Sequence, residues 1–232
     1  MNDIEILELM IARLPGLTSQ ERIVLFDHFE TSDMFLKNGT VFEIEAIIKR
    51  NLKHYWETDE IRIQAELDLM TAKERGIKWV SWKDPDYPPL LREIYDPPAV
   101  LYYRGQLPDP EKPLVSIVGT RHPSPRSQNQ AFNIAKELGY SGISVVSGLA
   151  LGIDTMAHRG SLSAACPAYA VLGSGVDEIY PHSNRRLARQ ILEGGGAIIS
   201  EYPPGTLPYK AHFPARNRII SGMAREIGRA HV

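Results

Sequence analysis

From Ile4 to about Met70, apolar residues recur three and four positions apart: Ile4, Leu7 and Ile11, then Ile23, Leu25, Phe26 and Phe29, then Val41, Phe42, Ile44, Ile47 and Ile48. An α-helix turns once in about 3.6 residues, so this spacing lays an apolar stripe along one face of each segment. Pro15-Gly16 and Lys37-Asn38-Gly39 break the pattern where the chain has to turn. The pattern predicts a small helical bundle over residues 1–78.

Between residues 79 and 113 the prolines crowd together (Pro85, Pro88, Pro89, Pro97, Pro98, Pro108, Pro110 and Pro113) around one β-like run, Val100-Leu101-Tyr102-Tyr103. Proline fixes φ and removes a donor, so this stretch is expected to be an ordered, extended linker. Beyond it, short apolar runs each end in a glycine or polar loop and lead into a helical stretch: Leu114–Val118, Ile143–Val146, Ala168–Leu172 and Ala197–Ser200. Strands that alternate with helices predict an α/β domain built on a parallel, doubly wound sheet over residues 114–226. Ligands of such sheets sit beyond the carboxyl ends of the strands, near the point where strand order reverses.

Composition changes this picture little, but charge distribution changes it more. No run approaches the length of a membrane span, and MNDIEILELM lacks a basic region ahead of an apolar one, so a cytoplasmic location is expected. A single cysteine, Cys166, offers neither an internal disulfide nor a thiolate metal site. The formal charge of -2 divides unevenly: residues 1–115 hold 14 Lys+Arg against 21 Asp+Glu, and residues 116–222 hold 10 against 6. A polyanionic partner is expected on the second half.

The candidate chemistry lies in the loops after the strands. Gly119-Thr120-Arg121-His122-Pro123-Ser124 places a guanidinium ahead of a helix whose free N–H groups favour an anion; a tight turn with a solvated arginine is the alternative. Ser147-Gly148-Leu149-Ala150-Leu151-Gly152-Ile153-Asp154 allows close backbone approach, with Asp154 placed to cap the next helix. Asp154 and His158, four apart, read as a cap and a hydrogen-bonded histidine before they read as a metal or acid–base pair. Gly173-Ser174-Gly175-Val176-Asp177 leads to Tyr180-Pro181-His182-Ser183-Asn184 and to Arg185, Arg186 and Arg189, a set that suits a base or a phosphate or else a core tyrosine and a solvated helix face. Ser200-Glu201-Tyr202-Pro203-Pro204-Gly205 is followed by Phe213-Pro214-Ala215-Arg216-Asn217-Arg218, two arginines that call for an anionic partner. No loop has the spacing of a dinucleotide fingerprint or of a nucleoside triphosphate cradle, so neither NAD nor ATP is supported.

The motifs GTRHPS, SGLALGIDTMAH, GSGVDEIYPHSN, SEYPPG and FPARNRIISG, in this order, resemble the core of the DprA/Smf family of DNA-processing proteins. The upstream Asp86–Leu91 and Asp96–Leu101 segments fit the same family, so the resemblance covers residues 80–223. It implies an extended Rossmann-like domain behind a sterile-alpha-motif-like helical one. It also implies a protein of natural transformation that binds and protects single-stranded DNA, loads a RecA-type recombinase, and needs no catalytic residue, cofactor or metal. By motif, Arg121 and Ser124 would contact DNA; Ser147, Gly148 and Gly152 would line the pocket; Gly173, Gly175, His182 and Asn184 would shape its far wall; and Arg216, Asn217 and Arg218 would complete it.

The sequence departs from the family pattern at Leu151, where a basic residue is usual, at His182, a lysine in some members, and at Ser127, usually a glycine. The first two remove positive charge at pH 7, and His182 regains it only as pH falls toward about 6.5. Family members continue past FPARNRIISG into another strand, so the domain is expected to be incomplete and its sheet to lack a strand. Residues 227–232 match the translation of a common sequencing adapter and are read as a non-native tail. The family's homodimer contacts fall in the absent segment, which argues against a dimer of this chain. Two rival readings stand beside this one. A phosphoribohydrolase-like enzyme could use Glu201 as its carboxylate, although its P-G-G-x-G-T motif is absent, and a scaffold could use its acidic helical bundle to hold a protein partner.

Overall fold

A computed structural model describes residues 3–230. Five helices come first: α1 (Asp3–Arg13), α2 (Ser19–His28), α3 (Ser32–Asn38), α4 (Val41–Ile48) and α5 (Thr58–Arg75). Three of them start on a threonine: Thr18, Thr31 and Thr40 each accept, through Oγ1, the backbone N–H three residues on, at 3.2, 3.1 and 3.3 Å. Each bond satisfies one donor the first turn leaves orphaned. Glu21 returns the favour to the Thr18 N–H at 2.8 Å and completes a capping box. The expected apolar stripes are the bundle core, with Met10, Ile11, Phe35, Ile44 and Leu69 buried.

After the bundle come β1 (Lys78–Ser81), α6 (Pro89–Arg92), β2 (Val100–Gly105), β3 (Leu114–Gly119), α7 (Pro125–Tyr140), β4 (Ser144–Ser147), α8 (Ile153–Ser163), β5 (Ala168–Val171), α9 (Arg185–Glu193), β6 (Ala197–Ser200), α10 (His212–Gly222) and β7 (Glu226–Ala230). The strand order is β1-β2-β6-β5-β4-β3-β7. The chain steps from β3 to β6 in one direction, then α10 carries it back to the far side of β3, where β7 pairs in parallel. Strand order therefore reverses at β3, and the crevice of the fold opens above that strand. Alternate residues face opposite layers: Val145 meets the α7 and α8 side, Ala170 and Ile198 the α9 side, and Val146, Tyr169, Val171 and Ile199 the side covered by α6 and α10. Burial of both faces explains the unbroken apolar runs of these strands.

Three expectations are corrected. The sheet is mixed rather than wholly parallel, because β1 and β2 join it antiparallel, with Tyr102 opposite Ser200. The linker is thus part of the sheet: the β-like run at 100–103 was legible, but its partner lies about a hundred residues away. The strand expected to be missing beside β3 is filled by Glu226–Ala230, since the open edge of a buried strand presents main-chain donors and acceptors that any extended segment can pair. Residues 231 and 232 of the expected tail lie outside the described residues.

Bundle and sheet also share one core. Buried Leu69 and Ala72 of α5 and Phe26 of α2 belong to the same apolar cluster as Tyr102 of β2, Ala170 of β5 and Ile191 of α9. Arg75 of α5 pairs with Asp177 beyond β5, and Lys83 pairs with Asp27 at 2.9 Å.

Candidate nucleic-acid interface

An open cleft of about 1320 Å³ lies above the carboxyl end of β3. Its walls include Thr120, Arg121 and His122 after β3, Ala150 and Asp154 after β4, Tyr180 after β5, Lys210 after β6, and Phe213, Arg216, Asn217 and Arg218 of α10. Four loops distant in sequence meet there because each follows a parallel strand of the same sheet.

The β4–α8 loop forms the floor, and it is held from every side. Leu149 is buried with a left-handed φ of 57°, a conformation that costs a residue with a Cβ and persists only when neighbours enforce it. They do: the Asp154 carboxylate accepts the N–H groups of Gly148 and Ala150 at 3.1 and 3.4 Å. The Leu149 N–H donates to His158 Nε2 at 3.3 Å, and Asn184 donates through Nδ2 to Leu149 O at 2.8 Å and to Thr155 Oγ1 at 2.9 Å. Asp154 therefore anchors the preceding loop and does not cap the helix, as the sequence had suggested. Gly152, at φ 83°, brings this loop against the one after β3: a side chain there would run into Thr120 O, which accepts the Ile153 N–H at 3.2 Å.

Arg216 is the electrostatic centre. It is 4% exposed, donates through Nη1 to Gly148 O at 2.8 Å and to Val171 O, and any side chain at 148 would fall on its guanidinium. Burial pushes its pKa down to about 10, with Asp154 opposing and Arg121 adding repulsion, so it remains charged at neutral pH. Burial likewise raises the Asp154 carboxyl, which Arg216 and the loop amides pull back. His158, fully buried and close to Arg216, is pushed down to about 3 and is neutral. Since its Nε2 accepts a hydrogen bond, its proton sits on Nδ1.

Toward solvent the cleft is cationic and aromatic. The Arg121 guanidinium stands 5.6 Å over the Phe213 ring, and exposed Tyr180 lies with its ring centroid 5.6 Å from that of Phe213. Tyr202 stacks on His212 with centroids 3.8 Å apart, and His212 Nδ1 donates to Gly173 O at 3.1 Å, which fixes the start of α10. Arg218 differs from the other two arginines. Glu201 receives it in a two-pronged pair at 2.7 and 2.6 Å, and Asp96 adds a contact at 2.8 Å.

Of the residues read from sequence, Arg121, Arg216, Asn217 and Arg218 line the cleft. Ser147 and Asn184 are buried with their side chains engaged, Ser147 Oγ donating to Ile117 O at 2.6 Å, and with Gly148, Gly152 and Gly173 they build the walls from behind. Gly175 sits deeper, against Asp177 and Pro203. Ser124 caps α7 by accepting the Ser127 N–H at 3.2 Å, so that helix end is partly satisfied already. His182 is exposed at the rim, its Nδ1 3.1 Å from Ile179 O. The site residue the sequence reading passed over is Lys210, the one lysine in the loop after β6; its position after a strand was the available signal.

The sequence profile of the family described as DNA recombination-mediator protein A matches residues 78–227, well over half of the chain. The chain belongs to this family. It is 46% identical over 163 residues to Protein Smf of Synechocystis sp., spanning 68% of this chain and 41% of that one. It is 35% identical over 216 residues to the DNA processing protein DprA of Streptococcus pneumoniae, spanning 91% and 73%. The relatives it matches are thus longer proteins, of which the chain spans between 41% and 73% in these two cases. The crystal structure of the S. pneumoniae protein superimposes with a TM-score of 0.75 at 32% identity, covering 99% of this chain and 78% of that one. A solved structure of DNA processing protein A from Helicobacter pylori, described for its single-stranded DNA binding mode, gives a TM-score of 0.58 at 30% identity, covering 67% of this chain and 69% of that one. The Rossmann-like α/β fold follows from these likenesses, and no helix among the described residues is long and apolar enough to cross a membrane.

Proposed function

We propose that this protein holds single-stranded DNA in the cleft above β3, acts in the cytoplasm on DNA taken up in natural transformation, and passes the strand to a RecA-type recombinase without catalysing a reaction itself. The observation that carries this reading is the pairing of uncommitted cations with aromatic rings. Arg121 and Lys210 line an open cleft beside Phe213 and Tyr180, and neither makes an ion pair among the described residues. A strand without a partner offers phosphates to the cations and bare base faces to the rings, and stacking gives about 1–3 kcal/mol per base with little sequence choice. The H. pylori relative's single-strand binding supports the same assignment.

The hydrolase reading has less support. Glu201 is tied by Arg218 on both oxygens, and Asp154, the carboxylate in the cleft wall, already accepts two loop amides. Both carboxylates thus have structural partners, which favours binding over hydrolysis.

Fluorescence anisotropy of a labelled oligonucleotide across a salt series tests the proposal. Neutralising roughly 3–5 phosphates gives a slope of log K against log salt near -2 to -3.5 for a single strand. Arg121→Ala is expected to weaken binding about tenfold, the loss of one charged hydrogen bond of about 1.5 kcal/mol, and to flatten the slope by about 0.7. Binding that ignores salt, or a duplex held as tightly as the single strand, would sink it.

A further inference from the structure

Behind the cleft, between α8 and α9, runs a second groove of about 720 Å³. Arg159 of α8 and Arg186 of α9 line it, together with Ser163, Ser183, Gln190 and a single carboxylate, Glu193. Both arginines are exposed and neither makes an ion pair or hydrogen bond among the described residues. Arg185 and Arg189 extend the same helix with two more solvent-facing guanidinium groups. The apolar side of α9 is fully spent on the core through Leu187, Ala188 and Ile191, so its outer surface is free for charge.

The groove lies close to the first cleft. Asn184 lines the groove, and its side-chain amide donates to Leu149 O at 2.8 Å and reaches Ala150 O at 3.5 Å; Ala150 in turn lines the cleft. One layer of residues separates the two. Exposed Tyr180 and His182 stand on the rim, and Ser183 directly after them enters the groove.

We propose that the α8–α9 groove is a phosphate-binding extension of the cleft, and that a single strand leaving past Tyr180 and His182 lays its backbone over Arg186 and Arg159. This rests on the single-strand reading of the first cleft and adds to it a direction of travel and a length dependence. An oligonucleotide that only fills the cleft does not reach the groove; a longer one does. The groove has guanidinium groups and small hydroxyls but no exposed aromatic ring in its lining, so it takes phosphates and not bases.

The test compares wild type, the double variant Arg159→Ala/Arg186→Ala, and a control that removes two lysines from the helical bundle, Lys37→Ala/Lys53→Ala, on thymidine oligonucleotides of increasing length. All variants are made in the full chain, and the substituted side chains are solvent-facing. Wild-type affinity is expected to rise with length beyond the shortest strand that binds. The double arginine variant binds the shortest strand as wild type does and loses that gain, with a salt slope flatter by about 1.4 on the long strand, the loss of two phosphate contacts. The lysine control follows wild type at every length. Equal weakening on short and long strands, or no change at either length, overturns the extension while leaving the cleft in place. Failure of wild type to bind any oligonucleotide overturns the reading of the cleft itself and this proposal with it.

Discussion

At the scale of single residues, the arginines of the FPARNR segment show how the same side chain takes different work from its surroundings. Arg216 is buried and stitches the β4 loop to β5, while Arg218 is a strut between α10, the end of β6 and Asp96. Arg121, exposed and without a carboxylate, is the one whose charge is available. His158 is a different case, a base kept from its proton. Its folded pKa is near 3 while an unfolded histidine titrates near 6.5. Between those values the unfolded chain takes up a proton that the folded chain refuses, so this residue's contribution to stability is complete above about pH 6.5. It drains away as pH falls, by up to about 1.4 kcal/mol per pH unit. Asp154 opposes this, because burial raises its pKa and lets the folded state bind a proton more readily than the unfolded chain does. Urea unfolding midpoints of wild type and His158→Gln at pH 7 and pH 5 are expected to converge at the lower pH. Parallel shifts of the two would show that His158 is not the group responsible.

At the scale of elements, the floor of the cleft depends on two loops meeting at Gly152. The residue has a φ of 83° and no room for a Cβ beside Thr120 O. Gly142 also has a positive φ, 74°, but a Cβ there meets nothing within 4 Å. The comparison separates backbone strain from steric contact. Gly142→Ala is expected to cost about 1–2 kcal/mol from conformation alone. Gly152→Ala should cost clearly more and lower Tm further, because the loop after β3 must retreat and takes Arg121 with it. Equal losses in Tm would mean that the contact with Thr120 is not what demands glycine. The loops themselves were legible, since each glycine-ended apolar run marked a strand end. Asp154 was read as a helix cap because the sequence places it near a helix start; that it turns back to the preceding loop depends on the loop's path.

At the scale of the whole molecule, the helical bundle and the sheet are not separable weights on a string. Tyr102 and Ala170 lie in one buried cluster with Phe26 and Leu69, and Arg75 reaches Asp177 in the loop after β5. Deleting residues 1–77 is therefore expected to expose apolar surface on the α9 side of the sheet and yield a protein that self-associates and binds ANS. Size-exclusion chromatography with ANS fluorescence checks this. A monomeric, ANS-silent product would show that the bundle is a detachable module, as the scaffold reading would have it.

Local chemistry was enough to establish the alternation of helix and strand, the four parallel strands β3 to β6, and the gathering of functional loops at one sheet edge. Periodicity and glycine placement depend only on near neighbours in the chain. The family resemblance, and not local chemistry, named Arg121, Arg216, Asn217 and Arg218 as pocket residues, and all four line the cleft. Only the tertiary structure decided that β1 and β2 extend the sheet, that Glu226–Ala230 pairs with β3, and that Ser147 and Asn184 build the site from behind it. It likewise decided that Glu201 and Asp96 neutralise Arg218, leaving Arg121 and Lys210 as the cleft's uncommitted cations. Each of these joins segments that are not neighbours in the chain, by strand pairing, hydrogen bond or ion pair, from 17 residues apart for Arg218 and Glu201 to 122 for Arg218 and Asp96. Which partner a side chain finds across a hundred residues is set by the folding of everything between them.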